Sequence, residues 1–178
     1  VSRLLAVDPS VNSSGVALFV DGALVAAYSV KCPPAARSDG TAGKALAIAR
    51  AICSWALSHG PAPDELVVEW PVIRAAGKSP ADPNDLPGLA GVAMAVAGML
   101  DTIGSVRLTA YKPEEWAQLS KSRDPGEAWS SQRGARIASR LTPAELARVP
   151  AQHDAVDAVG LGLHHLGRLG RVRVYPRG

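Results

Sequence analysis

The sequence predicts an α/β fold in which a mixed five-stranded sheet carries helices on both faces. Three observations predict it. Two apolar runs of strand length meet at Asp21-Gly22, a dipeptide that favours a tight hairpin. A stretch with apolar residues at 45, 48, 49, 52, 55 and 56 then follows, at helical spacing. Beyond it, strand-like and helix-like runs alternate, which is the order of a layered α/β fold.

Residues 4–7 form the first strand, ended by Asp8-Pro9, and residues 16–20 form the second. Residues 23–30 return from the hairpin as the third. A Pro/Gly/Ser-rich loop at 33–43 leads into the first helix, which starts at Lys44 and is stopped by Gly60-Pro61. Leu66-Val67-Val68 is a buried type of strand that ends at Glu69. Residues 71–87 carry four prolines and read as a long, mobile surface loop. Asn84 or Asp85 then caps a slim helix over 86–103, with Gly88, Gly91, Ala95 and Gly98 along it. Its small residues suit close packing on the sheet or on a partner.

Residues 106–110 make the fifth strand, and Pro113 opens a short helix through Leu119. A polar linker over 120–129 leads to a helix over 130–141. Thr142-Pro143 with Glu145 reads as a capping box opening another helix, which Pro150 ends. The last helix spans about 153–169, and residues 172–175 add a strand or an arm within a basic tail, about 170–178.

Composition narrows the function. With 178 residues, 47% hydrophobic and 20% charged, the chain suits one folded domain over 1–178 rather than a disordered one. Two cysteines, Cys32 and Cys53, exclude a disulfide framework or a Cys-rich zinc cluster and read as small buried hydrophobes. No apolar stretch is long enough for a membrane span, and residues 1–7 read as a strand rather than a leader, so a cytoplasmic location is expected. The net charge of +3 is too weak to identify a nucleic-acid protein. Its distribution says more: 12 of the 19 Lys and Arg lie after Val106, against seven of the 16 acids.

Four acids stand out by position. Asp8 and Glu69 end strands, and Asp154 and Asp157 lie three apart at the start of the last helix, on one helical face. Singly, each has a bland explanation: a turn residue at Asp8-Pro9, or dipole-favoured acids at a helix start. A Glu after three apolar strand residues is less bland, because buried Glu is rare unless paired. Converging carboxylates repel one another, and Mg²⁺ or Mn²⁺ relieves the repulsion through hard oxygen ligands. Two such ions can flank a phosphodiester, one activating water and one stabilising the leaving oxygen.

The set resembles the RuvC-type Holliday junction resolvases of the RNase H-like superfamily. The matching pieces are Leu4-Leu5-Ala6-Val7-Asp8-Pro9-Ser10, Ser14-Gly15-Val16-Ala17, Val67-Val68-Glu69, and the run from His153 through Asp154 and Asp157 to Leu161. Asp82-Pro83-Asn84-Asp85-Leu86 and Gly160-Leu161-Gly162-Leu163 look most like the phage and prophage branch. The resemblance implies an RNase H-like fold with Asp8 on the central strand and Glu69 beside it. It implies that Asp8, Glu69, Asp154 and Asp157 are both catalytic residues and the ligands of Mg²⁺ or Mn²⁺, with two ions per site. It also implies a homodimer that makes paired nicks in a four-way DNA junction, in a bacterial or phage-infected cell. Two positions depart from the family. Ser10 stands where the family often has Gly, and Trp70 directly follows Glu69 instead of lying out in the loop as an aromatic wedge.

His153 could assist as a metal ligand or proton donor, or simply begin the helix. Arg133, Arg136 and Arg140 recur at helical spacing and could line a phosphate track. Lys112, Lys121 and Arg123 precede them, and Arg74 and Lys78 lie in the long loop. Trp55 and Trp116 fit apolar helix faces, whereas Trp129 falls in the polar linker, where stacking on a base is open to it. Three rival readings remain: cleavage of RNA–DNA hybrids or other branched DNA, a catalytically idle DNA-binding protein of the same fold, and an actin-like ATP-binding domain. The last lacks a Gly-rich adenosine loop and its usual second domain.

Overall fold

In a computed structural model, residues 1–71, 85–117 and 128–170 are described. Five strands form one mixed sheet: β1 Arg3–Asp8, β2 Ser13–Val20, β3 Ala23–Lys31, β4 Glu65–Glu69 and β5 Arg107–Tyr111. Their order is β3-β2-β1-β4-β5. The first three pair antiparallel, and β4 and β5 join parallel to β1. Asp21 and Gly22 both take positive φ, 49° and 79°, as the hairpin expected at that dipeptide requires. The five-stranded mixed sheet is therefore the one the sequence predicts.

Alternation along the strands sends every second side chain to each face. On one face, Leu5, Val7, Val16, Leu66 and Val68 join α1 (Thr41–Ser58) and α2 (Asp85–Asp101) in an apolar cluster. Cys53 lies in this cluster, and burial pushes its thiol up to about 11. The slim side of α2 meets α1: a Cβ at Gly91 would touch Ala45, and one at Gly88 would crowd Thr41 and Val11. On the opposite face, Leu4, Ala6, Ala17, Phe19 and Val67 pack with α6 (His153–His165) and its neighbours. Those neighbours are the short helices α3 (Pro113–Trp116), α4 (Gln132–Ala138) and α5 (Pro143–Leu146).

Several boundaries differ from the sequence expectation. Helix α1 starts one turn early, at Thr41, because nothing in Thr41-Ala42-Gly43 forbids a first turn. The helix expected over 130–141 is only α4, opened by the Ser131 hydroxyl accepting from the Gly134 amide. The last helix ends at His165, not 169. Gly167 takes φ 70°, and the amides of Gly167 and Arg168 turn back onto the carbonyls of His164 and Leu163. That closure satisfies the helix's last carbonyls and needs a glycine. The capping box at Thr142 and Glu145 is present as expected. The expected loop over 71–87 falls mostly outside the described residues, as do the helix cap at Asn84, most of the linker over 120–129 and most of the tail over 170–178. Among the described residues, no helix is long and apolar enough to cross a membrane.

Candidate active site at the sheet edge

The site is built from the same alternation. Leu4 and Ala6 face α6, so Asp8, next in that series, ends β1 on the α6 face. Asp8 pairs with Gly15 across the ladder. On β4, Glu65 bonds His165 of α6 at 2.9 Å and Val67 packs under that helix, so Glu69 continues the same face. It lies one residue beyond the last rung between β1 and β4, Val7–Val68. Asp8 and Glu69 therefore end adjacent parallel strands at one edge.

Helix α6 brings its acids to that edge by close backbone approach. A Cβ at Gly15 would stand 1.7 Å from the carbonyl oxygen of Asp154. Phe19 and Trp116 similarly occupy the space that side chains at Gly162 and Gly160 would need. The Asp154 carboxylate accepts hydrogen bonds from the hydroxyls of Ser13 at 2.7 Å and Ser29 at 3.2 Å. With Gln152, His153 and Lys31, these residues line a cavity of about 350 Å³.

Asp157, one turn on, is 3% exposed. One nitrogen of Arg133 lies 3.2 Å from each of its carboxylate oxygens. The guanidinium stands 5.3 Å from the centroid of the Trp116 ring, and its other terminal nitrogen donates to the Ala117 carbonyl at 3.1 Å. Trp116 in turn donates its indole N–H to Glu69 at 2.8 Å. A chain of contacts, Asp157–Arg133–Trp116–Glu69, thus links the helix acid to the strand acid.

The oxygen-rich donor set suits a hard divalent ion. The arrangement, however, holds these acids on protein groups, and no cluster of three or more His, Cys, Asp or Glu side chains is gathered to hold a metal among the described residues. Asp8 and Glu69 end adjacent strands under α6, while the Asp154 carboxylate turns to Ser13 and Ser29 of β2 and β3, in a cavity whose lining does not include Asp8, Glu69 or Asp157.

The expected basic row is divided. Arg133 shares its helix face with buried Ile137 four residues on, so its side chain turns inward and is only 16% exposed. Arg136 is half-buried and donates to the carbonyls of Leu169 and Gly170. Arg140 is exposed just past α4, and Lys112 is exposed before α3. Arg74, Lys78, Lys121 and Arg123 lie outside the described residues. Trp129, expected to be exposed, instead packs half-buried against the α6 cluster, and Trp70 packs against the cluster on the other face. Trp116 was legible only as core; its indole N–H, a donor that must find a partner when buried, was the available sign of a role at Glu69.

Two solved structures match nearly the whole chain. Thermus thermophilus RuvC in complex with a Holliday junction substrate aligns with a TM-score of 0.63 and 16% identity, over 96% of this chain and 97% of that one. A second Thermus thermophilus RuvC structure aligns with a TM-score of 0.59 and 16% identity, over 92% and 93%. The chain has the RNase H-like fold of RuvC. No family model matches the sequence, and no curated protein matches it. The likeness to RuvC is thus one of fold.

Proposed function

We propose that the chain is a metal-dependent endonuclease of branched DNA that resolves four-way junctions by paired nicks, acting as a homodimer. The observation that supports this reading is that Asp8 and Glu69 end adjacent parallel strands on the face covered by α6, whose first turns carry Asp154 and Asp157, in a chain of RuvC-like fold. Mg²⁺ or Mn²⁺, two ions per site, would be held by these four carboxylates and would supply activation of water and stabilisation of the leaving oxygen. The protein's own part is to orient the carboxylates. Ser13 and Ser29 fix Asp154, Trp116 fixes Glu69, and the buried face of α6 fixes Asp157. His153 lines the cavity beside Asp154, where it would bind or move a proton. Lys112, Arg136 and Arg140 would contact phosphates, together with Arg74, Lys78, Lys121 and Arg123.

The single-domain reading over 1–178, a basic tail at about 170–178 that offsets the acidic site's repulsion of DNA, a phage or prophage relationship and a cytoplasmic location belong to the same proposal. A second reading has one observation in its favour. Arg133 on Asp157 places a protein cation on a proposed metal ligand, as in a catalytically idle DNA-binding protein. A cleavage panel in Mg²⁺ or Mn²⁺ over junction, flap, duplex, single strand and RNA–DNA hybrid separates the readings. Paired nicks in the junction support the resolvase. Cutting only the RNA strand of the hybrid points to a different nuclease, and binding without cutting points to the idle protein.

A further inference from the structure

We propose that Arg133 is a competing cation for Asp157, one that a divalent ion must displace to load the site. The inference rests on the metal-nuclease reading above. Its ground is the geometry of the pair. A single guanidinium nitrogen sits 3.2 Å from both Oδ1 and Oδ2, equidistant from the two oxygens. That is where a cation shared by both oxygens sits. Asp157 is 3% exposed, and a carboxylate so buried requires a cation or several donors.

The arginine cannot yield by losing its proton, because a guanidinium keeps its charge throughout the working pH range. It can yield only by moving. Its position is held by the Ala117 carbonyl at 3.1 Å and by the Trp116 ring at 5.3 Å. A divalent ion arriving at Asp157 would meet a unit positive charge at close range in a site with little water to screen it. Arg133 is then a positioning residue: it keeps Asp157 aimed and paired until the metal replaces it. The chain's spacing leaves this role invisible, because the same residue also fits an outward phosphate row.

The test is a calorimetric Mn²⁺ titration of the full chain without DNA, comparing wild type, Arg133→Gln, Arg133→Lys and Asp157→Asn. Arg133→Gln is expected to bind Mn²⁺ roughly tenfold more tightly, the scale set by removing one nearby charge from a poorly screened site. Arg133→Lys, which keeps the charge, should stay near wild type, and Asp157→Asn should bind more weakly. Equal or weaker binding by Arg133→Gln, with wild type still binding, overturns the role of Arg133 and leaves the nuclease reading standing. No Mn²⁺ binding by either chain overturns both. Should Arg133→Gln fail to fold, nitrogen-15 NMR of the wild-type guanidinium groups decides. The resonance lost in Arg133→Lys should move on saturation with Mg²⁺, and an unmoved resonance overturns the proposal.

Discussion

Gly15 of β2 and Asp154 of α6 touch backbone to backbone: a side-chain carbon at Gly15 would stand 1.7 Å from the Asp154 carbonyl oxygen and 2.3 Å from its carbonyl carbon. Gly15 is also the ladder partner of Asp8. The bare strand therefore sets how near the helix acids come to the strand acid.

Gly15→Ala should push the first turn of α6 off the sheet. No flexible side chain lies in the way to give ground, so the helix itself must shift. The expected cost is about 1–3 kcal/mol of stability, the usual scale of overpacking, with a larger proportional loss of metal-dependent cleavage. Chemical denaturation measures the first and a junction-cleavage assay the second. Unchanged cleavage in the folded variant would show that the approach of α6 does not set the site.

Glu145 predicts an acid limit to stability. The hydrogen bond from Arg168 comes first among the causes that hold its carboxyl down at about 2, from an ordinary 4.5, against the opposing effect of burial; amides of Leu24 and Thr142 add to it. A carboxyl whose folded value is depressed stabilises the fold above its unfolded value, and that stability is lost as pH falls from about 4.5 towards 2. Thermal melts across this window should fall steadily for wild type. Glu145→Gln should be weaker at neutral pH by roughly 3 kcal/mol, as when one partner of a buried ion pair is removed, and flatter below it. Parallel melting curves for the two chains would count against this anchor between α5, β3 and Arg168.

Much of the fold was legible because its signals were local. Asp21-Gly22 marked the hairpin, and the alternation ending in Asp8 and Glu69 told which strands carry acids at their ends. Three-residue spacing put Asp154 and Asp157 on one helix face. What stayed hidden depends on the third dimension. Spacing groups Arg133 with Arg136 and Arg140 but does not say which way the group faces; buried Ile137, four residues on, draws Arg133 inward. Trp116 was readable as core, and is core, but its bond to Glu69 joins residues 47 apart in sequence. Trp129 follows a polar stretch, yet the apolar face of α6 draws its ring inward.

The inward turn of Arg133 also sharpens where DNA should be felt. Neutralising Arg136 and Arg140 together should weaken junction binding and lower the slope of log affinity against log salt by about two, roughly one per phosphate contact. Binding measured from low to moderate salt checks it. An unchanged slope would remove these two arginines from the phosphate contacts.

Asp8→Asn probes whether Asp8, Glu69, Asp154 and Asp157 form a metal-dependent catalytic site. Asp8 ends the central strand β1, and asparagine keeps its size while removing the charge that would hold the metal. Junction cleavage and junction binding should be measured side by side in Mg²⁺ and in Mn²⁺. Cleavage is expected to fall by at least about a thousandfold, on the scale of losing a metal-borne contribution of several kcal/mol, with binding unchanged. Cleavage at the wild-type rate by a folded Asp8→Asn chain would contradict that assignment.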